Sequence, residues 1–272
     1  MARLASVCSF ALIVLHRWQS AGGISPAAEN PGCASLPVSA ALWQLSITTA
    51  QKSALHPFVL GLADASGRVS SRSFADYIAQ DATFLHAFAA SYALALAKLP
   101  REDKTGLKQF YGLIGAVLEE MELHESQAKR LQIDLAGPAG RPTPATSAYT
   151  EFLLGIARDP NTRVEEVLAA MAPCMRLYSR LGKLLLSSFP RAATDATAGN
   201  GNPFSDWVQA YSGDDFAKAA DVVDAMLDQY SSRPGAASRA ALANNYERAM
   251  QLEFNFFDGQ QLDHRVMDGL PL

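Results

Sequence analysis

The chain has 272 residues, a formal net charge of −4, and a composition that is 49% hydrophobic and 18% charged. That length supports one sizeable core, and the mild acidity without a basic stripe argues against nucleic acid, because phosphate binding needs clustered Lys and Arg. No apolar run approaches the roughly 20 residues of a membrane helix, and Cys8, Cys33 and Cys174 form neither a CxxC pair nor a disulfide framework.

Residues 1–36 are rich in Ala, Ser, Gly and Pro and read as a disordered leader. Arg3, Arg17, several serines and the lack of an acidic residue before Glu29 give it the composition of a transit peptide. The expected compartment is therefore the cytoplasm, or a chloroplast or mitochondrion if the leader targets the chain. A helical domain is expected over 37–262, followed by a tail over 263–272. Its first helix runs from Pro37 to Leu55, where His56-Pro57 marks a boundary and Gly61 to Ser70 reads as a loop. Ser73 is the expected cap of a long helix reaching Lys98. Further helices are predicted over Leu107–Leu131, Ala145–Ala157, Arg163–Leu186, Phe204–Tyr211, Asp214–Tyr230 and Ala236–Leu262. Gly137 to Pro144 is a Gly/Pro loop, and Ala192 to Pro203 is a small, polar surface loop. No alternating pattern predicts a strand, so the expected class is all-α.

Three residues break apolar helical faces. Asp81 stands in the series Phe74, Tyr77/Ile78, Phe84/Leu85, Phe88, Tyr92. A carboxylate there costs several kcal/mol unless it is paired. Hydrogen bonding to a nearby Tyr or Arg, or a place at the face edge, would explain it equally. Glu253 lies between Met250 and Phe256/Phe257, surroundings that raise a carboxyl pKa; a Glu that snorkels to the surface or pairs with Arg248 is the alternative. Cys174 follows Pro173 in a helix that the proline is expected to kink. It is either a small core hydrophobe or a thiol with Tyr178 one turn away. Two carboxylates and one thiol, inward on separate helices, are the makings of a covalent acid/base site.

The same residues sit in stretches that resemble the TenA (thiaminase II) family, from about Trp43 to Gln260. The stretches are His56-Pro-Phe-Val-Leu-Gly-Leu-Ala-Asp64, Phe74 to Leu85, Glu120-Met-Glu-Leu-His124, Ala148-Tyr149-Thr150 and Ala172 to Tyr178. They continue with Asn202 to Trp207, Tyr211, and Leu252-Glu253-Phe254. The resemblance implies a heme-oxygenase-like helical bundle without heme or other cofactor, assembled as a homotetramer. It implies hydrolysis of the bond between a 4-amino-2-methylpyrimidine-5-methylene group and its leaving group, either the thiazolium of thiamin or the amine of aminomethylpyrimidine. The product is hydroxymethylpyrimidine, which is salvaged for thiamin synthesis.

Carried over residue by residue, Cys174 matches the nucleophile and Glu253 the proton-transfer carboxylate. Asp81 matches the group that anchors and polarises the pyrimidine, Tyr149, Tyr178 and Tyr211 match pocket tyrosines that bond the substrate or the thiol, and Phe84 matches an aromatic pocket position. Phe84 occupies a position where Tyr also occurs. Glu120, Glu122 and His124 could suggest a metal, but a di-iron bundle needs Glu-x-x-His on two helices, so they read as a solvated face. Two other functions remain open: a cofactor-dependent heme-oxygenase-like protein, and a non-catalytic member that binds a small heterocycle.

Overall fold

The computed structural model describes residues 36–262, except 65, 66, 136, 190 and 195–200. The leader, the C-terminal tail and the centre of the 192–201 loop therefore lie outside the described residues. Among those described, ten α-helices and one 3₁₀ turn make up the regular structure and there is no β-strand. The all-α expectation holds.

The predicted first helix is two: α1 (Val38–Leu45) and α2 (Ile47–Ala54). The break is at Ser46, whose φ of −95° and ψ of 4° leave the helical path. Ser46 and the β-branched Ile47, Thr48 and Thr49 after it hold a helix weakly. His56 does mark a boundary: its Nδ1 accepts the Phe58 N–H at 3.2 Å, and Pro57 opens the next helix. That helix, α3 (Pro57–Asp64), takes up the start of the predicted 61–70 loop. Gly61 lies within it, and the chain folds back so closely that a Cβ there would lie 2.7 Å from Val69 Cγ2. The turn falls at Gly67, with φ +80°.

The longer helices end within about one turn of their predicted limits. They are α4 (Ser71–Ala97), α5 (Lys104–Leu131), α6 (Pro144–Arg158), α7 (Val164–Ser188), α8 (Ser205–Ser212), α9 (Asp214–Ser231) and α10 (Arg239–Asp258). The cap of α4 is Ser70 rather than Ser73: Ser70 Oγ accepts the Ser73 N–H at 3.1 Å. Asp103, Thr143 and Ser238 cap α5, α6 and α10 in the same way. The edges of the predicted surface loop are anchored inward. Ala192 is buried, and buried Asn202 donates to the carbonyls of Leu62 and Ala192 at 2.8 and 2.7 Å.

Two helices organise the bundle. α4 packs against α5 and α6, α7 packs against α8, α9 and α10, and α4 and α7 touch each other. Central α7 continues as one helix through Pro173 and is buried along most of its length. It tolerates close neighbours because it is rich in small residues. A Cβ on Gly182 would lie 2.2 Å from the Tyr211 carbonyl carbon, so α8 approaches backbone against backbone.

Glycine-to-alanine changes should therefore have opposite signs at two helical positions. Gly182→Ala must displace backbone in α8 and should destabilise by about 2 kcal/mol or more. Gly155→Ala in α6 meets nothing within 4 Å and should stabilise by roughly 0.5–1 kcal/mol. Urea melts of the two variants check both; a stabilised Gly182→Ala protein would contradict the packing described.

Candidate active site

The bundle brings Asp81 of α4, Cys174 of α7 and Glu253 of α10 into one buried region. Each is at most 9% exposed. The Glu253 carboxylate accepts the Tyr149 hydroxyl at 2.6 Å and also receives the Cys174 thiol. Neither alternative for Glu253 holds: it is 1% exposed and so does not snorkel, and Arg248 is exposed and does not pair with it. Burial pushes Glu253 up to about 7, against the lowering effect of its two donors. Burial, and then the charge of Glu253, pushes the Cys174 thiol well up. The thiol therefore rests protonated and donates to the Glu253 carboxylate.

Asp81 is fixed differently. Burial, followed by the charges of Glu120 and Glu253, pushes it well above the usual carboxylate range. Its support is Tyr77, one helical turn earlier, whose hydroxyl donates to it. Trp207 Nε1 donates to that same hydroxyl at 3.1 Å, and the Tyr178 hydroxyl lies 3.3 Å from it. The sequence left open that Tyr178 aims its hydroxyl at the thiol or at a substrate; here that hydroxyl lies beside Tyr77. Phe84 packs on Tyr149 with centroids 4.8 Å apart, and Tyr178 on Tyr211 at the same separation. All seven predicted site residues therefore fall in one connected cluster.

The expected solvated face is wrong for two of its three residues. Glu122 is exposed, but His124 is 2% exposed and Glu120 is half-buried. α5 turns both towards Asp81. His124 Nε2 lies 3.5 Å from Asp81 Oδ2, and Tyr211 donates to Glu120 at 2.5 Å. Burial pushes Glu120 up to about 7 and His124 down to about 4. Ligand atoms of Asp81, Glu120 and His124 all lie within 4.8 Å of one another, close enough to hold a cation. The raised acids and the neutral imidazole equally suit a cluster joined by protons. The sequence reading missed Tyr77, Trp207, Glu120 and His124 as site residues, yet Tyr77/Asp81 and Glu120/His124 each carry the four-residue spacing of one helical face.

This architecture can be set beside known proteins. The sequence profile of the TENA/THI-4/PQQC family matches residues 42–263. The chain belongs to that family. An aminopyrimidine aminohydrolase of Halalkalibacterium halodurans is 31% identical over 206 residues, covering 75% of this chain and 86% of that protein. A bifunctional mitochondrial TH2 protein of Arabidopsis thaliana is also 31% identical, over 76% of this chain; there the match spans only 34% of the longer protein. Among solved structures, a protein described as a TenA family transcription regulator, from Silicibacter, superposes with a TM-score of 0.69. It is 28% identical, and the match covers 81% of this chain and 95% of that one. A TenA homologue from Pyrococcus furiosus, at 18% identity and a TM-score of 0.70, shows the fold alone, over 81% of this chain and 98% of its own. No helix of the described residues is long and apolar enough to cross a membrane.

The buried acids make stability depend on pH. A carboxyl whose folded pKa is raised stabilises below its unfolded value and loses that contribution as pH rises through the folded value. For Glu120 the window runs from 4.5 to about 7. His124 acts oppositely, its contribution being lost as pH falls from 6.5 to about 4. Glu120→Gln keeps an acceptor for Tyr211 without a charge. It should be more stable than the unsubstituted chain at pH 8 by about 1–3 kcal/mol and gain little at pH 4.5. Urea unfolding at both values tests this; an equal effect at both would remove the buried-acid account.

Proposed function

We propose that the chain hydrolyses the C–N bond at the 5-methylene of a 4-aminopyrimidine, giving the hydroxymethylpyrimidine by way of a cysteine adduct. The observation that carries this reading is the buried chain from Tyr149 through Glu253 to the Cys174 thiol, with Asp81 on a facing helix. The hydrolase name of the Halalkalibacterium relative supports it.

Because burial keeps the thiol protonated, attack needs a base in place, and Glu253 takes the proton as sulfur bonds to the ring carbon beside the one bearing the methylene. A protonated Asp81 gives a hydrogen bond or proton to a ring nitrogen, which accepts the electron pair. Collapse of the adduct breaks the methylene C–N bond, and the leaving nitrogen departs with that pair. Water adds to the exposed methylene, and loss of the thiolate restores the aromatic ring. Overall, one C–N and one O–H bond are exchanged for one C–O and one N–H bond with an amine leaving group; Cys174, Glu253 and Asp81 are regenerated. Phe84 and Tyr149 offer the ring a stacking surface. A homotetramer and delivery to an organelle by residues 1–36 belong to the same reading; sedimentation and a reporter fused to residues 1–40 test them.

Cys174→Ser should cut kcat by a factor on the order of 10³ or more with little effect on pyrimidine binding. Asp81→Asn should weaken binding as well as rate, and Glu253→Gln should lower kcat about a hundredfold. Mass spectrometry of products from thiamin and from aminomethylpyrimidine reads all three. Near-normal turnover by Cys174→Ser would exclude covalent catalysis, and pyrimidine binding without any product would favour the non-catalytic reading. Tyr149→Phe removes a donor that lowers the Glu253 pKa. The acid limb of the kcat/KM profile, where Glu253 must be ionised, should then move to higher pH. An unmoved limb would mean that another group sets it.

A further inference from the structure

The cluster that α4 and α5 build together has bonding capacity left over. Asp81 and His124 are 3% and 2% exposed. Asp81 Oδ2 lies 3.5 Å from His124 Nε2, too long for a good hydrogen bond, and has no hydrogen-bond partner among the described residues. A buried carboxylate oxygen without a partner is costly and calls for an explanation. Two ligands of a tetrahedral zinc ion, with bonds of about 2.0–2.2 Å, lie roughly 3.3–3.5 Å apart, so this separation suits a shared cation. Glu120 brings a second carboxylate, its ligand atom within 4.8 Å of the other two. It is the least buried of the three and the one with room to close that gap. Ligating carboxylates are themselves held by hydrogen bonds, and here Tyr77 donates to Asp81 and Tyr211 to Glu120. His124 Nδ1 and Gln127 Oε1, three residues apart on α5, are both buried without partners among the described residues. A metal on Nε2 fixes the ring proton on Nδ1, and Gln127 offers an acceptor on the same helical face.

Access and charge point the same way. A cavity of about 270 Å³ reaches Glu120, His124 and Gln127. Exposed Glu119 and Asp215 stand in its wall, Asp215 in a surface pair with Lys218, and no described Lys or Arg lines it. That wall admits a cation more readily than an anion, and the space has room for water ligands. We propose that Asp81, Glu120 and His124 form a site for a divalent transition-metal ion of the zinc class. One imidazole with two carboxylates favours zinc over magnesium, which prefers oxygen ligands and gives up its water reluctantly. The ion opposes the hydrolysis rather than assisting it. Asp81 cannot hold a metal and give a proton to the pyrimidine ring at once, so metal and pyrimidine exclude each other. That consequence, unlike the site itself, rests on the hydrolase reading above.

Calorimetric titration of the full chain with Zn²⁺ and with Mg²⁺ tests the site. Zn²⁺ should bind at least about a hundredfold more tightly than Mg²⁺. Glu120→Gln and His124→Leu should each weaken zinc binding by about tenfold or more, and Cys174→Ser should bind zinc as the unsubstituted chain does. Glu120→Gln, expected to be the more stable chain at pH 8, keeps the test open if His124→Leu does not fold. Saturating hydroxymethylpyrimidine should weaken zinc binding, and zinc should inhibit aminomethylpyrimidine turnover over the range in which it binds, with chelator restoring the rate. Absence of zinc binding, or binding that both variants leave unchanged, would overturn the site. Loss of binding in Cys174→Ser would place the metal on the thiol and overturn it too. Turnover that saturating zinc leaves unchanged would overturn the opposition to hydrolysis. Zinc binding with the expected losses, in a chain that hydrolyses neither thiamin nor aminomethylpyrimidine, would support the site and defeat the hydrolase reading instead.

Discussion

Asp81, Glu120 and Glu253 share a buried region in which no Lys or Arg pairs with them among the described residues; His124 is the only basic group in ion-pair range of the three. Like charges this close in a low-dielectric interior cannot all ionise. The surroundings answer in two ways. Burial raises all three acids, and Tyr77, Tyr149 and Tyr211 each donate to one of them. The tyrosines of α4, α6 and α8 are thus placed by the acids as much as by the apolar core.

That arrangement fits the proposed hydrolysis of an aminopyrimidine, in which the ring is a weak electrophile. An Asp that keeps its proton can give it to a ring nitrogen, while a Glu balanced near neutrality can take one from a thiol. The two roles are separated by environment alone. Asp81 feels two other carboxyls, whereas Glu253 is relieved by donors on both sides. The thiol is the other half of the arrangement. Burial, and then the charge of Glu253, pushes its pKa well up.

The bundle delivers these groups because α7 is nearly enclosed. Small residues along it, with Gly182 as the extreme case, let α8 and α10 come close enough for Tyr211 and Glu253 to reach the region around Cys174.

The sequence by itself determined the all-α class, nearly every long helix, and the inward direction of Asp81, Cys174 and Glu253. Each of these is written in local periodicity, since a polar residue on an apolar stripe is visible at 3.6-residue spacing. Family-like stretches then gave Tyr149, Tyr178, Tyr211 and Phe84 their places. Periodicity could not say which faces meet. The face of α5 carrying Glu120 and His124 also holds Phe110, Leu113, Val117 and Ala128, so the two polar residues interrupt an apolar stripe as Asp81 does, but spacing alone could not show that this stripe turns towards Asp81. Nor could spacing show that Tyr178 would bond Tyr77 rather than the thiol, that Ser46 would split the first helix, or that Gly61 would stay helical against Val69. Those outcomes depend on contacts between residues far apart in the chain, and only the packing of α4, α5 and α7 decided them.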